Sequence, residues 1–130
     1  MSGEQDLDVL LASMEPVLVD GVYVFATTDT VPAGLAPRMV FQEAEGTTLI
    51  YLRHEAEAQG LDFAFPSRMI TLNIHSSLDA VGFMARIATE LAKAEMGVNP
   101  VAGFYHDHIF IPDGREEDAL RILRQIAASA

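Results

Sequence analysis

The sequence predicts an α+β protein built mainly of antiparallel sheet with helices on one face. Two patterns carry that expectation. Apolar residues alternate at period two in several short runs, most clearly Ile70, Leu72 and Ile74 against Thr71, Asn73 and His75. They recur at helical spacing in others, as at Ala80, Met84, Ile87, Ala88 and Leu91. With 130 residues, half of them apolar, the chain can fill one good core or two small modules that share one.

In chain order, Leu7, Leu10, Leu11 and Met14 mark one face of a short helix that stops before Pro16. Residues 17–28 read as a strand broken by Asp20 and Gly21. Two prolines and a glycine make 30–38 a loop. The runs 39–43 and 47–52 form a hairpin around Ala44, Glu45 and Gly46, followed by a short helix through Glu55–Ala58 that ends at Gly60. Residues 62–65 give a brief strand before Pro66. In the next strand-to-helix step, Ser76 and Asp79 are set as an N-cap pair and Gly97 supplies the left-handed residue that closes the helix. Two strands, 101–104 and 108–111, meet at a tight turn near His106 and Asp107. Asp113 and Glu116 then suit a capping box for a last helix with Ala119, Leu120, Leu123, Ile126 and Ala127 inward.

Both halves approach the ferredoxin-like order strand, helix, strand, strand, helix, strand. The second half lacks the final strand and the first half lacks the initial one, so the expected division is a diverged lobe over 1–66 and a fuller one over 67–130.

Charge narrows the function. A net charge of −11 argues against nucleic acid and against anionic membrane surfaces, because both are held chiefly by Lys and Arg. Eleven of the acids precede residue 67, against only Arg38 and Arg53, which suits an acidic, solvated face. No long uncharged apolar run suggests a membrane span, and the acidic MSGEQDLDVL start is unlike a signal peptide, so a soluble cytoplasmic protein is expected. The absence of cysteine excludes disulfides, a Cys nucleophile and Cys-held metals.

Among the remaining chemistries, His106 and His108 are two apart and could chelate a metal with His75, though as turn residues they need not share a face. Structural or ligand-contacting histidines are the ordinary reading. Ser76 and Ser77 beside His75 read as helix-capping residues, since neighbours in a chain do not set up a triad. Gly97 and Gly103 are isolated and make no phosphate loop, and no catalytic residue or cofactor is expected. The more promising feature is a helix start at Ser77, Leu78 and Asp79, whose free N–H groups and dipole suit a small carboxylate.

Residues 75–112, HSSLDAVGFMARIATELAKAEMGVNPVAGFYHDHIFIP, resemble the ACT domain, a regulatory amino-acid-binding module. The likeness rests on a strand, a turn ending in Gly82 that starts a Leu/Ala-rich helix, the Gly97-Val98-Asn99 turn and a following strand. VAGFYHDHIFIP is similar to the ACT domains of aspartokinase regulatory regions and cytosolic arginine sensors, and EGTTLIYL extends the likeness to small stand-alone bacterial proteins of two ACT-like halves. The resemblance implies ferredoxin-like units and ligand contacts at Ser76, Ser77, Leu78, Val81, Gly82, Asn99, Pro100, Val101, Phe104 and Asp107. It implies a non-enzymatic regulator that binds an amino acid, pairs as a homodimer and acts on a biosynthetic enzyme. Two alternatives stand beside it: an interaction module without a ligand, and a metal protein or hydrolase built on His75, His106 and His108. One departure is Pro100, which removes a backbone donor where an ACT ligand often pairs with the strand.

Overall fold

The computed structural model describes residues 3–130. The elements are α1 (Leu7–Ser13), β1 (Glu15–Leu18), β2 (Tyr23–Thr28), β3 (Met39–Gln42), β4 (Thr47–Leu52), α2 (Arg53–Ala58), β5 (Ala64–Asn73), α3 (Phe83–Lys93), β6 (Asn99–Ala102), β7 (Asp107–Pro112) and α4 (Glu116–Ser129). They divide into two compact units. One comprises the chain up to Val19 together with Arg68–Ala130, and the other is Asp20–Ser67.

In the first unit the strands lie in the order β1, β5, β7, β6. β1 pairs antiparallel with β5, from Glu15 opposite Asn73 to Leu18 opposite Ile70, and β6 pairs antiparallel with β7. The final strand missing from the second half is thus supplied by the N-terminus, at the edge that the ferredoxin-like plan reserves for it. Asp6 begins α1 by accepting the Val9 N–H at 3.1 Å. Three helices then cover one sheet face. Leu10 and Leu11 of α1, Ile87 and Leu91 of α3, and Leu120 and Leu123 of α4 pack on Ile70, Leu72, Ile109 and Ile111. Each fully buried Leu or Ile contributes about 2 kcal/mol of transfer free energy, so this layer is the main source of the unit's stability.

The second unit orders its strands β3, β4, β2 and the start of β5, all antiparallel. Its core is Val24, Leu49, Tyr51 and Ala56, with Leu35, Leu61 and Phe63 packed against it. β2, paired with β4 on one side and β5 on the other, fills the role of the plan's first strand, so the element absent from the plan is the first helix and not the first strand. Loop 29–38 stands in that helix's position in the order, because Pro32 and Pro37 would each remove a helical hydrogen bond.

Three local expectations are corrected. The strand expected to end before Pro66 runs on as one ten-residue strand, Ala64–Asn73. A bulge accommodates the proline: Tyr23 pairs with Ser67 but Phe25 with Ala64, and Phe65 takes a φ of 57°. The left-handed residue after α3 is Glu95, φ 57°, not Gly97. At α4, Glu116 Oε1 accepts the Gly114 N–H at 2.7 Å and Arg115 is the cap, so Asp113 forms no capping box.

Candidate ligand-binding site

The start of α3 departs from the local capping pattern at Ser76 and Asp79 and agrees with the turn ending in Gly82 on which the family resemblance rests. The helix begins at Phe83, with Gly82 as its cap at φ 91° and no capping side chain. Residues 76–82 form a loop because both serines are engaged elsewhere. Ser76 Oγ donates to Asp107 Oδ2 at 3.4 Å, and Ser77 Oγ accepts the Asp79 N–H at 3.1 Å. The backbone of Ser77 is also taken, its N–H donating to the Glu4 carbonyl at 2.9 Å. The expected free donors at 77–79 are therefore replaced by those of Phe83 to Ala85, in a first turn that contains no acidic residue.

Glu4 fixes this loop from the N-terminal side. Its N–H donates to the His75 carbonyl at 2.9 Å, forming a parallel bridge with Ser76. Gly3 makes the approach feasible, since a Cβ there would lie 2.5 Å from the Ser77 nitrogen. Ser76 and Ser77 are consequently buried, whereas Leu78 and Val81 project outward, 67% and 82% exposed.

Opposite this loop is the β6–β7 turn, closed by Gly103 N–H donating to the His106 carbonyl at 2.9 Å. Its rings gather at one end of the sheet. His75 lies 5.3 Å from Tyr105 and 6.2 Å from Phe104, and Phe104 meets Tyr105 edge-on at 5.1 Å. His106 Nδ1 faces the Ile74 carbonyl at 3.2 Å; a carbonyl only accepts, so this nitrogen carries the proton. His108 Nδ1 meets Thr71 Oγ1 at 3.0 Å. Between the two histidines, partial burial pushes the Asp107 carboxyl above its ordinary range, opposed by the Ser76 hydrogen bond and by charge from His108 and His106.

The structure therefore brings Ser76, Phe104 and Asp107 together, with Ser77, Leu78, Val81 and Gly82 in the contiguous loop. Asn99 and Pro100 pair with Phe110 and Ile109, away from the turn; Val101 and Ala102 pair with His108 and Asp107. Asn99 is three rungs from Ala102, about 10 Å along the strand. Sequence reasoning missed the His75–Tyr105 contact and the Glu4 bridge, for which no short-range signal exists. His106 and His108 stand edge-on with ring centres 6.5 Å apart. Among the described residues, no group of three or more His, Cys, Asp or Glu is placed to hold a metal ion.

Comparison with known proteins now decides the family. Two family models, each described as ACT domain, match residues 2–68 and 64–125. The chain belongs to the ACT domain family. ACT modules are regulatory and often bind amino acids, with ferredoxin-like units of the kind seen in both halves here. A Vibrio cholerae protein of unknown function, described as a possible transport protein, is 40% identical with a TM-score of 0.85, over 93% of this chain and 95% of that one. An Agrobacterium tumefaciens protein solved by structural genomics shares 16% identity with a TM-score of 0.74, over 88% and 89%. The aspartokinase α and β subunits share 12% with a TM-score of 0.62, over 86% and 96%, a likeness of fold. No curated protein matches the chain. None of the helices is long and apolar enough to cross a membrane, among the described residues.

Proposed function

We propose that this protein is a non-enzymatic regulator made of two ACT lobes, the Asp20–Ser67 unit and the unit that joins the N-terminal elements to residues 68–130, which binds an amino acid at the loop preceding α3. The observation that supports it is the Ser76–Asp107 pair beside a helix start that has neither a capping side chain nor an acid in its first turn. Asp107 would take the ligand's ammonium, or the guanidinium of a cationic one, and the Phe83–Ala85 N–H groups its carboxylate. The His75, Phe104 and Tyr105 rings offer an apolar wall to its side chain. Ser77, Leu78, Val81 and Gly82 complete the loop side. Val101 belongs to the same reading through its place opposite His108 on β6, whereas Asn99 and Pro100 lie further along that strand. The protein would act in the cytoplasm as a homodimer that adjusts a biosynthetic enzyme.

A thermal-shift screen against the twenty amino acids tests the reading. One or a few should raise the midpoint, by about 2.7 kcal/mol of stabilisation at a hundred times the dissociation constant, and Asp107→Ala should abolish the rise. A shift that survives Asp107→Ala sinks this site.

A second reading rests on Leu78, Val81, Phe104 and Tyr105, each more than 60% exposed at one end of the first unit. Such a cluster suits an interaction module that docks without a ligand. It would show as partner binding lost on Val81→Asp while every amino acid stays silent.

A further inference from the structure

The Asp20–Ser67 unit contains a cavity of about 250 Å³, lined by Tyr23, Ala36, Pro37, Arg38, Leu52 and Glu55. It shares no residue with the site above. Two of its walls carry opposite full charges, and no ion pair joins Arg38 to Glu55. Arg38 is held in place on both sides: its N–H donates to the Ile50 carbonyl at 2.7 Å, and one terminal nitrogen donates to the hydroxyl of the buried Tyr23 at 2.6 Å. Its guanidinium carbon also stands 5.3 Å from the centre of the Tyr23 ring. A guanidinium has five N–H donors, and this arrangement uses one of them. Glu55 is set by the first turn of α2, and the carboxylate is free to accept, since the hydrogen bond this residue makes uses its backbone carbonyl, to Gln59. Ala36, Pro37 and Leu52 supply apolar surface between the two charges.

The charge arrangement selects a ligand class. An anion alone would meet Arg38 but be repelled by Glu55, and a lone amine would suffer the reverse. A polyphosphate or nucleotide is disfavoured by both charge and size. We infer that this cavity is a second binding site, for a small zwitterion whose carboxylate is taken by Arg38 in a forked hydrogen bond and whose ammonium is taken by Glu55. Its volume lies below the range of drug-sized pockets, which suits a small ligand.

The test is an NMR titration of the ¹⁵N-labelled chain with glycine, L-alanine, β-alanine and L-proline, against propionate and ethylamine as single-charge controls. At least one zwitterion should shift the amides of Tyr23, Leu52 and Glu55 saturably, while both controls bind about tenfold more weakly or not at all, because each forfeits one charged hydrogen bond. Arg38→Gln and the isosteric Glu55→Gln should each weaken binding by about tenfold or more, and Asp107→Ala should leave it unchanged. The inference is overturned if no zwitterion moves these amides, if propionate binds as well, or if Glu55→Gln, folded by circular dichroism, binds as tightly as the parent. Binding lost in Asp107→Ala but kept in Arg38→Gln would likewise overturn it, and would support the site in the first unit.

Discussion

Ser76 Oγ donates to Asp107 Oδ2 across 31 residues of chain, at 3.4 Å, and the carboxyl that accepts it is partly desolvated. Burial raises the folded-state pKa of Asp107, so the folded chain holds this proton to higher pH than the unfolded chain does. The associated stability is therefore fully present below the ordinary value of 3.8 and is lost as pH rises through the raised one. Asp107→Asn removes the ionisation. Urea midpoints of parent and variant should lie furthest apart near neutrality, in the variant's favour, and converge in acid. A constant gap across pH 3–7 would show that burial does not control this group.

Gly82→Ala should destabilise the protein by about 1–2 kcal/mol, the usual cost of forcing a side chain into the left-handed region. The melting temperature should fall by roughly 3–8 °C. Gly97→Ala is the matching control, since nothing lies within 4 Å of the added Cβ and its φ is not positive. It should change stability by under about 0.5 kcal/mol or raise it slightly.

Tyr51 is 1% exposed, and its hydroxyl has no hydrogen-bond partner among the described residues. An unsatisfied buried hydroxyl costs about 1–3 kcal/mol, whereas the ring beneath it packs in the core. Tyr51→Phe should therefore leave denaturant stability unchanged or raise it by up to that amount. A loss above about 1 kcal/mol, typical of a net hydrogen bond, would mean that the hydroxyl does useful bonding.

In the β3–β4 hairpin, Glu43 and Gly46 exchange both backbone bonds, so by alternation Phe41 and Met39 bond to β4 while the Val40 N–H points away from it. Val40→Pro should thus cost little, under about 1 kcal/mol, as prolines do on sheet edges. Leu49→Pro, on the central strand and fully buried, should cost about 3 kcal/mol or more. Chemical denaturation of the two variants checks the contrast, and equal losses would contradict the register.

What the sequence revealed was set by the range of each interaction. Periodicity located the core of the last helix, since Ala119, Leu120, Leu123 and Ile126 are all buried there. Alternation and turn residues found the hairpins, and two prolines and a glycine marked the loop at 30–38. The capping pattern alone misplaced the start of α3, which the family resemblance put at Gly82, because a serine before a helix is a good local cap and only the tertiary fold shows that Ser76 serves Asp107 instead. Gly97 carried the ordinary signature of a helix end, yet Glu95 assumed the left-handed turn. The position of β1 beside β5 was illegible, because pairing between residues more than fifty apart leaves no period in the sequence. For the same reason the His75–Tyr105 contact was illegible.

The packing of α1 against α4 has a consequence during protein synthesis. Leu10, Leu11 and Met14 share their core with Leu120, Leu123 and Ile126, at the other end of the chain. At about 5–20 residues per second, the ribosome takes on the order of ten seconds to make the segment between them. From the time it leaves the exit tunnel until α4 follows, the first helix has its apolar stripe uncovered, whereas residues 20–67 bring every strand and helix of their own unit with them. A segment made before residues 20–67 is thus buried after them, and Leu10, Leu11 and Met14 wait for α4 to complete their core.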